Sequence, residues 1–210
     1  MNKFDIIENL ETVEFTSPLP NYIFFNNIHP NANILEIGCG YGRILKFLFS
    51  SGYKKLTGID ISNKLISRAK LNFKECHYIV NDFLDLNYEE KYDCIVMCGV
   101  IEYFSNQIDR VKLVNKIYKI LNENGFVFLE SFLFDKHYFF KYFQNYFVLK
   151  KFGIIYSNGA KLFHSSSHNI DKLFEKKFYK VNCMKVKFKT WSGGKKNGYI
   201  TLYQKMEDAI

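Results

Sequence analysis

Between Asn33 and Ser131, short apolar runs rich in Ile, Val and Phe alternate with longer segments whose apolar residues recur at helical spacing. Short continuous apolar runs suit strands buried on both faces, and the helical segments between them suit crossovers. The pattern therefore predicts a parallel sheet built from βαβ units. Strands are expected at Asn33–Ile37, Lys55–Ile59, His77–Val80, Tyr92–Cys98 and Phe126–Glu130. Gly42–Ser50 sets Ile44, Leu45, Phe47 and Leu48 toward one buried face, and Ser62 can cap a helix over Asn63–Asn72. A third helix, Gln107–Leu121, repeats Val111, Val114, Ile117, Tyr118 and Leu121 before Asn124-Gly125 ends it. Five strands in this order form a doubly wound α/β fold.

The flanks break the pattern. Residues 1–28 hold a short helix, a Ser17-Pro18-Leu19-Pro20 break and an aromatic stretch around Tyr22, Phe24 and Phe25, which predicts an N-terminal flap. Residues 132–163 are dense in aromatics (Tyr138, Phe139, Phe140, Tyr142, Phe143, Tyr146, Phe147) and do not form another βαβ unit. Three readings stay open for this lid-like insertion: a packed subdomain covering the sheet, a lid over a substrate pocket, or an interfacial membrane helix. A helix over His168–Lys177 and strands Lys180–Thr190 and Tyr199–Lys205, joined through Ser192-Gly193-Gly194, predict a closing hairpin. All 210 residues are read as one domain.

Composition adjusts this picture modestly. The formal net charge of +8 favours anionic partners such as phosphorylated metabolites, nucleic acid or acidic lipid headgroups. The lysine pairs at 54–55, 150–151, 176–177 and 195–196 are scattered, however, as on a solvated surface. Residues 1–12 carry Asp5, Glu8 and Glu11 in place of a basic, apolar leader, and no window approaches the roughly 18 apolar residues that span a bilayer. A cytoplasmic protein is expected. Cys39, Cys76, Cys94, Cys98 and Cys183 form no CxxC pair or zinc-spaced cluster, so neither a metal nor a disulfide is expected.

The candidate chemistry begins at Ile34-Leu35-Glu36-Ile37-Gly38-Cys39-Gly40-Tyr41-Gly42. Glycines at alternate positions between a strand and a helix let backbone approach a ligand closely and admit unusual backbone angles. Arg43 stands where a dinucleotide GxGxxG turn needs its third glycine, and no GK[ST] follows, so those two cofactor classes are disfavoured. Asp60 ends the second strand roughly 20 residues beyond the glycines, the spacing at which a carboxylate meets ribose hydroxyls.

These residues resemble the class I S-adenosylmethionine-dependent methyltransferases, with Glu36 to Gly42 similar to the family's first motif and Asp60 to its second. The resemblance implies a cofactor site of Glu36, Gly38, Cys39, Gly40, Gly42, Asp60 and Ile61, with Asp82 and Phe83 at the adenine and Cys98 and Gly99 at the methionine end. It also implies a seven-stranded Rossmann-like sheet ordered 3-2-1-4-5-7-6 with strand 7 antiparallel. The segment Gly99-Val100-Ile101-Glu102-Tyr103-Phe104 resembles the part that borders the methyl group, though Tyr103 stands where many small-molecule members carry His. Glu102, Tyr103 and His137 are the candidates for orienting or deprotonating an acceptor, and His164 and His168 also fall near the insertion. Methyl transfer is an in-line displacement governed by aim and water exclusion, with no metal required. The implied function is methylation of a small polar acceptor, with preference for an oxygen of an anionic sugar or phosphorylated metabolite. A nucleic-acid methyltransferase and a non-catalytic scaffold are the alternatives. An Asn/Asp-Pro-Pro-aromatic run is absent at Cys98-Gly99-Val100-Ile101, which weighs against nucleic acid.

Overall fold

The computed structural model describes residues 18–87, 89–157, 160–189 and 195–207. In chain order they form α1 (Tyr22–Phe25), β1 (Asn33–Ile37), α2 (Arg43–Ser50), β2 (Lys55–Asp60), α3 (Asn63–Asn72), β3 (His77–Val80), β4 (Tyr92–Cys98), α4 (Gln107–Ile120) and β5 (Leu121–Phe132). There follow α5 (Phe139–Leu149), β6 (Ile154–Ser157), β7 (Ala160–Phe163), α6 (Ser167–Phe174), β8 (Phe178–Lys189) and β9 (Lys195–Lys205). Seven strands make one sheet in the order β3-β2-β1-β4-β5-β9-β8, while β6 and β7 pair separately. Counting only sheet strands, this is the expected 3-2-1-4-5-7-6. The first five pair in parallel, and β9 runs antiparallel to both β5 and β8.

Alternation along the strands feeds two cores. Ile34, Val96 and Phe128 face α1, α2 and α3, where Ile23, Phe24, Ile44, Leu45, Leu48 and Ile66 are buried. Leu35, Ile95 and Val127 face α4 and α6, where Leu113, Val114, Ile117, Ile170 and Phe174 are buried. Each such side chain contributes about 1.5–3 kcal/mol through burial. Part of the expected flap belongs to the first core: the Phe24 ring packs edge-on against Tyr53 and Phe128, each at 5.4 Å. The expected helix near the N-terminus and the Ser192-Gly193-Gly194 turn lie outside the described residues.

Some boundaries differ from the sequence expectation. α4 ends at Ile120 and β5 begins at once, its Leu121 pairing with Tyr92. Asn124, at φ +58°, takes the left-handed conformation of the Asn-Gly pair. The inward face of α4 is also rotated: Arg110, Leu113, Val114, Ile117 and Ile120 are buried, while Val111 is exposed. Arg110 can turn inward because oxygens await it there. Its Nε donates to Phe104 O at 2.6 Å, Nη1 to Ser165 Oγ at 3.4 Å, and Nη2 to Ile101 O at 3.2 Å and Phe163 O at 3.4 Å. α6 stops at Phe174, short of the expected Lys177, and β9 begins earlier than expected, at Lys195.

The insertion after β5 is one helix and one hairpin, rooted on the body. Leu133 N–H donates to Asn197 O and Phe134 N–H to Ser165 O, both at 2.9 Å. Arg110 and Lys151, whose ammonium donates to Ser105 O, tie the insertion to the loop after β4.

Candidate cofactor and acceptor site

In an open α/β sheet, ligands bind beyond the carboxyl ends of the strands where the order reverses. Here that point lies between β1 and β4, the strands that end in Ile37 and Cys98. The glycine turn stands directly above it. Gly38, Gly40 and Gly42 have φ of +70°, +55° and +79°, a region that favours glycine. A Cβ on Gly38 would lie 2.5 Å from Val100 Cγ2, and one on Gly42 would lie 2.7 Å from the Tyr78 hydroxyl. Gly38 and Cys39 N–H both donate to Ile59 O, at 2.7 and 3.1 Å. Asp60 completes the seam, accepting from Gly40 N–H at 2.9 Å through Oδ2 and from Ser62 N–H at 2.8 Å through Oδ1. The pairing of the turn with Asp60, read from spacing, is thus a direct contact.

The other residues singled out from the sequence divide into two groups. Glu36, Cys39, Cys98, Gly99 and Glu102 gather at the same strand ends. Gly99, at φ +67°, donates its N–H to Glu130 O at 3.0 Å. Ile61 is half-buried just past β2. Asp82 accepts from Leu84 N–H at 2.9 Å, whereas Phe83 is 4 % exposed and packed in the second core, with Lys116 Nζ 5.4 Å from its ring centre. Tyr103 is half-buried, and burial followed by the Glu102 and Asp60 charges raises its hydroxyl to about 12. His137 lies apart: it is exposed, with its backbone N–H on Asp135 Oδ1.

Three carboxyl groups are buried here. Glu36, Glu102 and Glu130 are each no more than 3 % exposed, and each keeps one oxygen without a hydrogen-bond partner. Burial pushes all three above the ordinary carboxylate range; Arg43 opposes the shift at Glu36 and Glu130, and the Glu102 charge adds to it at Glu130. Glu102 Oε1 accepts from Phe132 N–H. Buried acids with a partnerless oxygen are set to receive hydrogen-bond donors from a ligand. Glu130 was not singled out from the sequence, although an acidic residue closing an apolar strand was a signal for it.

A second cluster sits where β5, β9 and the insertion meet. Tyr142 OH lies 2.8 Å from His164 Nδ1 and accepts from Asp135 N–H at 3.4 Å. The hydroxyl can donate to Nδ1, in which case the ring proton sits on Nε2. Nε2 has no partner although His164 is 2 % exposed. Burial, then the Lys196 charge, lowers this imidazole to about 4. Lys196 Nζ stands 5.2 Å from the Phe132 ring centre and 5.3 Å from that of Tyr138, and burial lowers its pKa while Glu102 opposes the shift. The Lys195-Lys196 pair read as solvated surface; nothing local distinguishes Lys196, because its neighbours come from residues 132 and 138.

Residues 34–125 match the family model described as a methyltransferase domain. An S-adenosylmethionine-dependent methyltransferase of Methanosarcina mazei superposes with a TM-score of 0.85 at 21 % identity, over 91 % of this chain and 100 % of that one. The chain shares the fold of that methyltransferase, and the methyltransferase-domain match covers its glycine turn and runs from β1 into the start of β5. The chain also superposes on the N-methyltransferase NodS of Bradyrhizobium japonicum in complex with S-adenosylhomocysteine, with a TM-score of 0.63 at 16 % identity, over 84 % of this chain and 80 % of that one. Among curated relatives, the malonyl-[acyl-carrier protein] O-methyltransferase 1 of Ilyobacter polytropus is 32 % identical over 117 residues, 52 % of this chain and 41 % of that protein. The human protein named probable tRNA methyltransferase 9B is 29 % identical over 103 residues, 49 % of this chain and 22 % of its own length. The chain therefore spans less than half of these curated relatives. Among the described residues no helix is long and apolar enough to cross a membrane, and no cluster of His, Cys, Asp and Glu could hold a metal.

Proposed function

We propose that this protein transfers a methyl group from S-adenosylmethionine to a small polar acceptor. The observation that carries the reading is the left-handed glycine turn, hydrogen-bonded to Asp60 at the point where the strand order reverses. The site fits the donor: the partnerless oxygens of Glu36 and Glu130 suit its ammonium end. In this reading Asp60 holds the ribose hydroxyls and Asp82 meets the adenine amine. Cys98 and Gly99 border the methionine moiety. When bound, the donor supplies an electrophilic methyl group on a sulfonium. Glu102 and Tyr103 then face the acceptor, and Glu102 orients it through its partnerless Oε2. The insertion excludes water from that side.

The acceptor itself is read as carrying an anionic group, with methylation at one of its oxygens. Lys196, between two aromatic rings, and His164 in its Nε2–H tautomer offer donors, a suitable seat for a carboxylate or phosphate. A nucleic-acid acceptor is the second reading, favoured by the likeness to the tRNA-named relative. It predicts RNA binding that weakens steeply with salt.

Calorimetric titration with S-adenosylhomocysteine tests the first step. Wild type should bind, and Asp60→Ala should lose at least about 100-fold, the scale of two charge-assisted hydrogen bonds. No binding by folded wild type rejects the proposal. A screen of anionic and neutral acceptors for S-adenosylhomocysteine release then tests the acceptor. Lys196→Met should raise KM for anionic acceptors more than it lowers kcat.

A further inference from the structure

The insertion helix carries its apolar face outward. Phe139, Phe140, Phe143 and Phe147 fall at i, i+1, i+4 and i+8, one stripe of an α-helix. They are 48 %, 80 %, 47 % and 58 % exposed, and only Tyr142 of α5 is buried. The rings form a continuous ridge: Phe139 stacks on Phe143 at 6.2 Å, and Phe147 meets Phe143 edge-on at 4.8 Å. Exposed Phe152 and Tyr156 flank it. The ridge is held out from the body by bonds on the opposite side of the helix, from Tyr142 OH to His164 and from Asn145 Nδ2 to Ile154 O at 2.8 Å. A contiguous exposed apolar patch of this kind marks an interaction surface.

The charge around the ridge selects its partner. Residues 136–157 contain Lys136, Lys141, Lys150 and Lys151 and no Asp or Glu. A second copy of the chain, docked through the same stripe, would bring these lysines against their own counterparts, because a two-fold interface sets each patch on itself. An acidic protein would need a groove to receive a convex ridge, whereas a bilayer deforms around it. Aromatic side chains on one face with lysines beside them suit the boundary between headgroups and acyl chains. We propose that α5 is an interfacial helix that docks this protein on anionic lipid surfaces through Phe139, Phe140, Phe143 and Phe147, with Lys136 and Lys150 contacting headgroups. The inference stands apart from the methyl-transfer reading, since it uses the opposite side of the insertion.

Co-sedimentation with phosphatidylcholine vesicles, with and without phosphatidylglycerol, tests it on the full chain. Wild type should bind the acidic vesicles at least about tenfold more tightly than neutral ones, as one to two surface lysines supply, and salt should weaken binding. Phe140→Asp/Phe147→Asp should lose at least about tenfold, since two apolar rings leave the interface and two negative charges enter it. S-adenosylhomocysteine affinity and helical content should stay unchanged. Lys136→Gln/Lys150→Gln, which leaves the ridge intact, should remove the preference for acidic vesicles and serves if the aspartate variant fails to fold. Absence of vesicle binding, equal binding to neutral vesicles, or binding indifferent to both variants overturns the proposal. So does a wild-type dimer that the aspartate variant dissociates.

Discussion

Helices α4 and α5 have opposite fates. α4 mixes charged and apolar residues over 14 positions, and its apolar side chains Leu113, Val114, Ile117 and Ile120 are buried against the sheet. α5 is far more apolar, FFKYFQNYFVL, yet buries only Tyr142. Apolar content therefore does not predict burial here. What separates the two is the surface each meets. α4 lies on a sheet face that presents Leu35, Ile95 and Val127, whereas α5 meets a small hairpin and a few polar anchors. The sheet region is held by packing, and the insertion by its root.

That contrast can be broken by experiment. Phe128→Ala, in the sheet core, should cost about 3–5 kcal/mol in urea denaturation, the largest effect expected. A loss below about 1 kcal/mol would show that the first core is not what holds the domain. Arg110→Ala should cost about 3 kcal/mol, since it leaves the Ile101, Phe104 and Phe163 carbonyls without their buried donor. It should also open the insertion to limited proteolysis ahead of the sheet. Should the whole chain instead become cleavable at one rate, the root would be part of the body.

The histidine of the second cluster gives a pH signature. Its pKa is near 6.5 unfolded and about 4 folded. The depressed folded value means its stabilising contribution is present above pH 6.5 and is lost as pH falls toward 4. Between pH 7 and pH 5 the stability should drop by about 2 kcal/mol from this group. His164→Gln should flatten that part of the profile, and an unaltered slope would place the titration elsewhere. Smallest of all, Phe140→Ala should leave stability within about 0.5 kcal/mol of wild type, despite removing the same side chain type as Phe128→Ala. A loss comparable to the core variant would mean that α5 is covered.

The legibility of the candidate site follows the same division. Gly38, Gly40, Gly42 and Asp60 were readable because the turn needs backbone freedom and a carboxylate at a set spacing, and both requirements are local. Glu130 and Lys196 were not. Glu130 matters because β5 lies beside β4 and brings it level with Cys98, and Lys196 because β9 folds back beside Phe132. His137 stood out among the aromatics of its segment but is exposed, while His164, farther along, is buried by Tyr142 and Phe132. Phe83, expected beside the adenine, packs in the core under Lys116. Whether a ring at a strand end faces a ligand or the core depends on the helix opposite, which no local pattern describes.

By itself the sequence determined the periodicities and the glycine turn with its distant acid, because strand burial and turn geometry are consequences of neighbouring residues; the sheet order was implied by the family those residues resemble. Only the tertiary structure decided which face of each helix is covered, which acids lose their water and are raised in pKa, and which lysine is drawn between two rings. Those properties depend on desolvation by residues far along the chain, and desolvation exists only once the surfaces have met.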